Sequence, residues 1–381
     1  MKKIIIFLLM AFLLVGCETI NPIDPIAPEE KLTLLEGSNL DSEYIYWYGR
    51  HQEIEDSQYF YYTATGFKAN FTGRVVDITL SLEDKNNDIY FSVSKDGSDL
   101  LDDEVIILSE ATQSFRFSFD TYGDHEIKII KRSEPEDGIT SLVSLETNGS
   151  FNEIVDLESD APHFLIMGAS GISGHGALGY PGQPRTTENS SSLHSFGYLS
   201  ASHFNGTYEF VSNSGWGLAF GYNDTSGENN IYKAYDAIGI DSNQDIIDVT
   251  YDHQMIPDVI IINVGGNDYS AVINRLSGFE KDQKIQEFKA MVAAFILKLR
   301  EDAPEAHIFW TMTDGSLNGT AATQVINLLD PDDLACVHVV VIKQVGDDGD
   351  LAGAHNHASY ITHQKSADLI IEAINLYTNI Q

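Results

Sequence analysis

Cysteine and basic residues are scarce in this sequence of 381 residues, and each scarcity excludes a class of protein. The chain has only 2 cysteines, Cys17 and Cys336, which excludes a small scaffold held together by disulfides. Lysine and arginine number 22 against 57 aspartates and glutamates, so the formal net charge is −35. Such an acidic chain repels phosphate backbones and has no basic stripe, so nucleic acid is not an expected partner. A neutral substrate suits this charge better than an anionic one.

The apolar run near the start of the chain has the layout of a processing signal. Two lysines precede residues 4–15, a run too short to span a bilayer comfortably, and "LVGC" follows it. "LVGC" resembles a bacterial lipobox, so Cys17 is the predicted lipidation site. We expect residues 1–17 to be a lipoprotein signal peptide and residues 18–40 to be an extended, proline-rich tether. The mature protein would be a secreted monomer, held at the bacterial cell surface or outer envelope only by its lipid.

Alternation of apolar and polar residues dominates the next part of the chain. In "VVDITLSL" and "SFRFSFD" every second side chain is apolar, and turn signals such as "KDG" and "NG" separate runs of this kind. No stretch with helical periodicity appears there. The pattern predicts a β-sandwich over residues 41–155.

From residue 160 to residue 381 predicted strands alternate with predicted helices. The continuous apolar run "DVIIINV" is typical of a parallel strand that is buried on both faces. The predicted strands are residues 164–167, 208–212, 258–264, 306–312 and 338–345, and the predicted helices are residues 192–204, 285–299 and 363–377. This alternation indicates a central parallel sheet with helices on both sides.

The first strand of this domain runs into a glycine-rich loop, "LIMGASGISGHGALG", which has two interpretations. Its G-x-G-x-x-G spacing fits a dinucleotide-binding loop. That chemistry needs a helix whose N-terminus faces the pyrophosphate, whereas Pro181 and Pro184 would break a helix that began at the loop. We therefore favour the second interpretation, in which Ser170 is a nucleophile for acyl transfer held at the end of a strand.

The other groups that a nucleophilic serine needs are present at later strand ends. A base is available among His355, His357 and His363, and "NSGWG" and "GGNDYS" offer donors for an oxyanion. Active sites of open parallel sheets collect at these ends. Taken singly, each motif is also compatible with an ordinary turn, and only the joint arrangement favours a hydrolase. Because only His355 and His357 have ligand spacing, no metal and no cofactor is predicted.

With these residues in place, the second domain resembles an SGNH (GDSL-type) hydrolase. The order of the two domains is similar to carbohydrate esterase family 2, which deacetylates plant polysaccharides. The matching stretches are "YGR", "IIKRSEPEDG", "TEN", "SGWGL", "PDVIIINVGGNDYS" and "GAHNHASYITHQKSA". The resemblance covers most of residues 44–375. It implies an all-β jelly-roll sandwich followed by an α/β three-layer esterase domain.

The resemblance also implies roles for individual residues. Ser170 would attack the ester carbonyl, and His357 would take its proton and pass it to the leaving sugar hydroxyl. The backbone N–H groups of Ser170 and Gly215 and the side-chain amide of Asn267 would bind the oxyanion. Asp268 would position its loop, and Trp216 is the candidate for contact with the substrate.

Two positions depart from the family pattern and affect the expected activity. Ala169 stands where the family has an aspartate before the serine, and His355 stands where it often has one near the base. A Ser–His dyad is therefore expected, with a backbone carbonyl orienting His357. The upstream acids that remain alternatives for this role are Asp347, Asp348 and Asp350.

The predicted function is removal of acetyl groups from a polysaccharide such as xylan or glucomannan. The expected partner is the acetylated polysaccharide or oligosaccharide itself. The alternative is a weakened or inactive hydrolase fold that acts as a surface glycan-binding lipoprotein.

Overall fold

The computed structural model of the chain describes residues 32–101, 104–155, 161–222, 224–253 and 255–380. The predicted signal peptide, its lipidation site Cys17 and most of the predicted tether lie outside these residues. In the described part of the chain, no helix combines the length and the apolar character that crossing a membrane requires.

The first domain is one antiparallel sheet of ten strands. Its strands are β1 (Thr33–Glu36), β2 (Ile45–Tyr48), β3 (His51–Ile54), β4 (Ser57–Phe60), β5 (Gly66–Glu83), β6 (Ile89–Lys95), β7 (Val105–Leu108), β8 (Thr112–Lys131), β9 (Ile139–Thr147) and β10 (Ser150–Asn152). The main order is β3-β4-β9-β5-β8-β6-β7, while β1 pairs with β9, and β2 and β10 pair with β5.

The long strands β5 and β8 make this sheet curl around its own core. Along one edge, β5 pairs first with β2 and β10 and then with β9, and its register with β8 shifts between Gly73 and Val75. An extra residue of this kind bends a strand and increases its twist. Val76, Ile78 and Leu80 are fully buried on the inner face, as the alternation in "VVDITLSL" predicts.

The predicted tether extends too far into this domain. Residues 18–40 were expected to be a tether, but β1 lies within that range and pairs with β9 along its whole length. Leu35 at its centre is buried and contributes to the core. Burial of this side chain favours a strand over a solvated tether.

The second domain contains a parallel sheet of five strands in the order β12-β11-β13-β14-β15. The strands are β11 (His163–Gly168), β12 (Thr207–Ser212), β13 (Val259–Asn263), β14 (His307–Thr313) and β15 (Val337–Ile342). The helices are α1 (Ser170–Ser173), α2 (Phe196–His203), α3 (Ile231–Ala234), α4 (Gly278–Asp302), α5 (Leu317–Ile326), α6 (Pro331–Leu334) and α7 (Tyr360–Tyr377). All the predicted strands and helices of this domain are present, with boundaries shifted by a few residues.

The pairing register aligns the carboxyl ends of three adjacent strands. Gly168 at the end of β11 lies opposite Ser212 of β12 on one side and Asn263 of β13 on the other. The loops that follow these strands therefore begin at the same edge of the sheet. This edge is where ligands bind in open parallel sheets.

The two domains are joined by a buried ion pair. Arg50 of the first domain donates from Nε and Nη2 to Glu209 Oε1 of β12 at 2.9 and 2.8 Å. Arg50 also donates to the carbonyl of Ala234, and its guanidinium carbon lies 4.2 Å from the centre of the Tyr251 ring. The Tyr251 hydroxyl in turn donates to Glu209 Oε2 at 2.9 Å. Arg50 is fully buried, so this contact fixes one domain on the other.

Candidate active site

The serine loop turns sharply at the end of β11. Ser170 opens α1, a single helical turn in which the Ala169 carbonyl accepts from the N–H groups of Ile172 and Ser173 at 2.9 and 3.0 Å. Gly174 ends the turn in the left-handed region, with φ of 64°, and a Cβ there would meet the Ser191 carbonyl oxygen at 1.9 Å. Such a short turn is not the long helix that a phosphate cradle needs. Ser170 remains half-buried at the strand end.

Backbone hydrogen bonds bring the loop before α7 against the serine loop. The Ala354 N–H donates to the Gly176 carbonyl, and the Tyr360 N–H donates to the Ala177 carbonyl, both at 2.9 Å. His357 lies between these two anchors. The structure thus brings together the loops that carry the predicted nucleophile and the predicted base, although no hydrogen bond joins the two side chains.

The imidazole of His357 is oriented by a backbone carbonyl. Its Nδ1 lies 3.1 Å from the carbonyl oxygen of His355, and because this oxygen can only accept, Nδ1 carries the proton. Nε2 then has the free lone pair that a general base requires. Burial and the neighbouring His175 lower the pKa of His357 to about 4, so the ring is neutral near pH 7.

The three aspartates considered as alternatives for this role bond elsewhere. Asp347 accepts from the Gln344 N–H, and the other two pair with lysines. These ion pairs are Lys343–Asp348 at 3.0 Å, Lys365–Asp348 at 3.7 Å and Lys365–Asp350 at 2.7 Å.

The predicted oxyanion donors lie in the loops after three adjacent strands. Ser170 follows β11, Gly215 follows β12 and Asn267 follows β13. Asn267 Nδ2 donates to the Trp216 carbonyl at 2.7 Å, which ties the last two loops together. A side-chain amide has two N–H groups, so one remains for a substrate oxygen. Gly215 has a φ of 82°, a conformation that strongly favours glycine.

Asp268 holds the loop after β12 in place through hydrogen bonds to its backbone. Its carboxylate is fully buried and accepts from the N–H groups of Leu218, Ala219 and Phe220 at 2.8 to 2.9 Å. Burial raises the pKa of Asp268 to about 6, although these N–H donors act in the opposite direction. This geometry is the one expected of a residue that positions its loop.

The proposed substrate contact through Trp216 is wrong. Its side chain is only 1% exposed and belongs to the main core of the second domain. The loop turns the indole inward, so its faces are covered by protein and cannot stack on a sugar. Trp310 of β14 is likewise 1% exposed.

A carboxylate from the first domain enters this site and was missed by sequence reasoning. Glu134 lies in the loop after β8 and is fully buried. Its Oε1 lies 3.0 Å from Nδ1 of His175, and its Oε2 accepts from the Ser214 N–H at 2.9 Å. Burial alone would raise the pKa of Glu134, but His175 and Arg185 lower it to about 2. The only signal in the sequence was that "IIKRSEPEDG" matched the family.

His175 was also missed, because it lies within the glycine pattern of the serine loop. Its ring centre is 4.4 Å from that of His357, and its Nε2 is 3.1 Å from Nδ1 of His355. One ring nitrogen from each of these three histidines lies within 4.8 Å of the other two. The expectation of no metal ligands considered only neighbours in sequence, and His175 is 180 residues from His355.

The arrangement is consistent with a serine carboxylic ester hydrolase. A half-buried serine at a strand end, a neutral imidazole on the facing loop and several N–H donors are the parts that ester hydrolysis needs.

Comparison with known proteins shows similarity to carbohydrate esterases within this class of ester hydrolases. Residues 47–152 match the family model described as carbohydrate esterase 2 N-terminal. The acetylxylan esterase / glucomannan deacetylase of Cellvibrio japonicus (strain Ueda107) is 25% identical over 257 residues, which are 65% of this chain and 68% of that protein.

Solved structures extend the likeness to both domains. The acetyl xylan esterase Est2A from the rumen bacterium Butyrivibrio proteoclasticus superposes with a TM-score of 0.76 at 19% identity, over 91% of this chain and 98% of that one. A family two carbohydrate esterase from Clostridium thermocellum in complex with cellohexaose gives 0.73 at 21% identity, over 87% and 98%. The predicted resemblance to carbohydrate esterase family 2 is confirmed, and these relatives are named carbohydrate esterases.

Proposed function

We propose that this protein is a carbohydrate O-acetyl esterase that removes acetyl groups from a polysaccharide such as xylan or glucomannan. The level ends of β11, β12 and β13 carry the proposal, because they hold Ser170, Gly215 and Asn267 at one edge of the sheet. The names of the relatives support an acetylated xylan or glucomannan as the substrate.

The proposed reaction proceeds through an acetyl-enzyme. Ser170 Oγ attacks the ester carbonyl while Nε2 of His357 takes the hydroxyl proton. The N–H groups of Ser170 and Gly215 and the free amide hydrogen of Asn267 bind the negative oxygen that forms. As the ester bond breaks, His357 gives its proton to the leaving sugar oxygen, which departs as a hydroxyl. A water molecule then attacks the acetyl-enzyme, again with His357 as the base, and releases acetate and the free serine.

The base works in this proposal as one half of a Ser–His dyad. The His355 carbonyl holds the proton on Nδ1, so Nε2 is the basic atom, although a neutral carbonyl does not compensate the charge of an imidazolium. Glu134 is a buried negative charge near this ring and raises the pKa of His357 slightly against the effect of burial. The dyad therefore has a carboxylate in its surroundings that makes no direct contact with the base.

The proposal includes several finer expectations. We expect the curled first sheet to be a jelly roll and the second domain to have three layers, and we expect a monomer. Lipidation of Cys17 would place the enzyme at the bacterial surface, where polysaccharide substrates are found. The neutral, acetylated glycan suits a chain whose net charge is −35.

The test is acetate release by the chain from Asp24 onward. Substrates are 4-nitrophenyl acetate, acetylated xylan and acetylated glucomannan, and the variants are Ser170→Ala and His357→Ala. Each is expected to lower the rate at least about a thousandfold, because the two groups act as a unit. Ser202→Ala, at an exposed serine of α2, is the matched control and is expected to keep full activity.

A wild-type protein no faster than the two variants would refute the esterase. Binding of the unmodified glycans without turnover would then favour the glycan-binding alternative, for which the replacements at Ala169 and His355 are the supporting observation.

A further inference from the structure

Three imidazoles from two distant parts of the sequence converge beside the serine loop. His175 is buried, His357 is half-buried and His355 is exposed, so the group opens to solvent on one side. One ligand nitrogen from each lies within 4.8 Å of the others. Only His357 has a place in the proposed reaction, so the convergence of the other two needs a separate explanation.

Hydrogen bonds on the far sides of two rings fix which nitrogens are free. Nδ1 of His175 lies 3.0 Å from the buried carboxylate of Glu134, which accepts its proton. In the neutral ring, Nε2 of His175 then accepts from Nδ1 of His355 at 3.1 Å, and an ion can bind here once the His355 proton moves to Nε2 of that exposed ring. Nδ1 of His357 donates to the His355 carbonyl, so Nε2 of His357 has a free lone pair. Neutral imidazoles with one nitrogen held as a donor and the other free are the usual form of metal-binding histidine.

The spacing of one pair of these nitrogens suits a small tetrahedral metal ion. Nε2 of His175 and Nδ1 of His355 are 3.1 Å apart. Zinc–nitrogen bonds of 2.0–2.1 Å in a tetrahedron separate two ligand nitrogens by about 3.3 Å. Only a small movement would admit the ion between them. Three histidines would leave a fourth position open for water.

The surroundings of the histidines also favour a cation. The Glu134–His175 contact repeats the arrangement in which a carboxylate holds a metal-binding histidine from behind. His355 has a φ of 54° and Asn356 a φ of 58°, so two consecutive non-glycine residues are left-handed. This backbone is unfavourable for histidine and persists only where neighbouring structure holds it. Its effect is to present the imidazole of His355 to that of His175.

We propose that His175, His355 and His357 form a site for a divalent transition metal, with zinc as the best fit, and that the bound ion inhibits the enzyme. The inhibitory half rests on the proposed esterase function, whereas the binding half does not. The lone pair on Nε2 of His357 can coordinate a metal or accept the proton of Ser170, but not both. An occupied site therefore leaves the nucleophile without its base.

Metal binding is tested directly on the mature chain after treatment with a chelator. Zinc is titrated by calorimetry, and cobalt is added as a spectroscopic probe of tetrahedral coordination. We expect one zinc ion per chain and the intense visible bands of tetrahedral cobalt. Absence of saturable zinc binding, or a zinc affinity unaffected by the variants below, would overturn the site.

Two variants and one control locate the ion. His355→Asn removes one ligand while asparagine tolerates the left-handed backbone, and Glu134→Gln removes only the charge behind His175. We expect Glu134→Gln to weaken zinc binding about 10–100-fold, and His355→Asn to weaken it more. His203→Asn changes an exposed histidine of α2 outside the group and is expected to bind zinc like the wild type.

Inhibition is measured in a separate experiment, through the rate at which the protein hydrolyses 4-nitrophenyl acetate. Wild-type activity is expected to fall as zinc saturates the site and to return when a chelator is added, while His355→Asn requires far more zinc. Equal sensitivity of wild type and His355→Asn, or activation by zinc, would refute the inhibitory role. Zinc binding without any esterase activity, with or without chelator, would instead mean that the proposed function has failed and that the site stands.

Discussion

Removal of Arg50 should destabilise the whole protein, because its charge is the partner of a carboxylate buried between the domains. In Arg50→Met, a side chain of similar length fills the space, but Glu209 loses both of its hydrogen bonds to the guanidinium. The carbonyls of Ala234 and Ala237 each lose one hydrogen bond as well, and Glu209 keeps its hydrogen bond from Tyr251. Arg50 is 0% exposed, so water does not replace these contacts without opening the interface.

The expected loss follows from the cost of an uncompensated buried charge. Breaking a buried ion pair by removing one partner costs about 3–5 kcal/mol in the free energy of unfolding. With a urea dependence of about 3 kcal/mol per molar, the unfolding midpoint should fall by roughly 1 M or more. The control is Arg116→Met, because the Arg116–Asp77 pair has equally short contacts but Arg116 is 70% exposed. An exposed pair contributes about 0–1 kcal/mol.

The stability lost in Arg50→Met should also depend on pH. In the wild type, burial alone would raise the pKa of Glu209, but Arg50 lowers it below its ordinary value of 4.5. The stability from this pair is therefore present above pH 4.5 and is lost as the pH falls through the lowered pKa. In Arg50→Met the Glu209 carboxyl has lost its cation, so burial raises its pKa. Protonation in acid then removes the buried charge and its cost in stability. The difference between the two proteins should shrink as the pH is lowered below about 5.

Urea unfolding followed by tryptophan fluorescence and by circular dichroism measures these differences. Arg50→Met combined with Glu209→Gln should recover part of the loss, because no buried charge is then left without a partner. The reasoning is refuted if Arg50→Met is no less stable than Arg116→Met, or if the loss is the same at pH 4 and pH 7.

Two further predictions concern the oxyanion loops. Asn267→Ala should lower kcat for acetate release about 10²–10³-fold with little change in KM, because the donor acts on the transition state; steady-state kinetics check this, and an unchanged kcat would contradict the assignment. Asp268→Ala should leave the N–H groups of Leu218, Ala219 and Phe220 without their acceptor and lower stability by about 3 kcal/mol or more, whereas Asp268→Asn keeps one acceptor oxygen and should lose less. Equal thermal unfolding temperatures for the two variants would count against a positioning role.

Local patterns in the sequence predicted the elements that local physics controls. The alternation in "VVDITLSL" and the apolar run in "DVIIINV" correspond to β5 and β13, because side-chain burial on one face or on both dictates these patterns. The helix predicted at residues 285–299 is the central part of α4 for the same reason. By contrast, α5 has Asn318, Gly319 and two threonines among its ten residues, which weaken the helical signal in "LNGTAATQVI". A Cβ at Gly319 would lie 2.5 Å from Met312 Sδ, so close packing accounts for this glycine.

The residues that sequence reasoning missed depend on contacts between distant segments. Glu134 and His175 meet across 41 residues and across the boundary between the domains, and no spacing rule predicts such a pair. Trp216 was misplaced for a related reason. The loop was assigned correctly to a strand end, but the direction of one side chain depends on the core beneath it, which a motif does not reveal.

Glu134 belongs to the first domain, but its carboxylate lies in the active site of the second, so the second domain is not a self-contained unit. The serine, the histidines and the oxyanion loops all lie in one folding unit, yet the carboxylate behind His175 belongs to the other. A chain cut at the boundary would keep every residue that touches the ester while exposing a buried imidazole and losing the carboxylate that binds its Nδ1. Recombining this second domain with a foreign first domain would therefore require a glutamate at the same place, so the two units have to be engineered together.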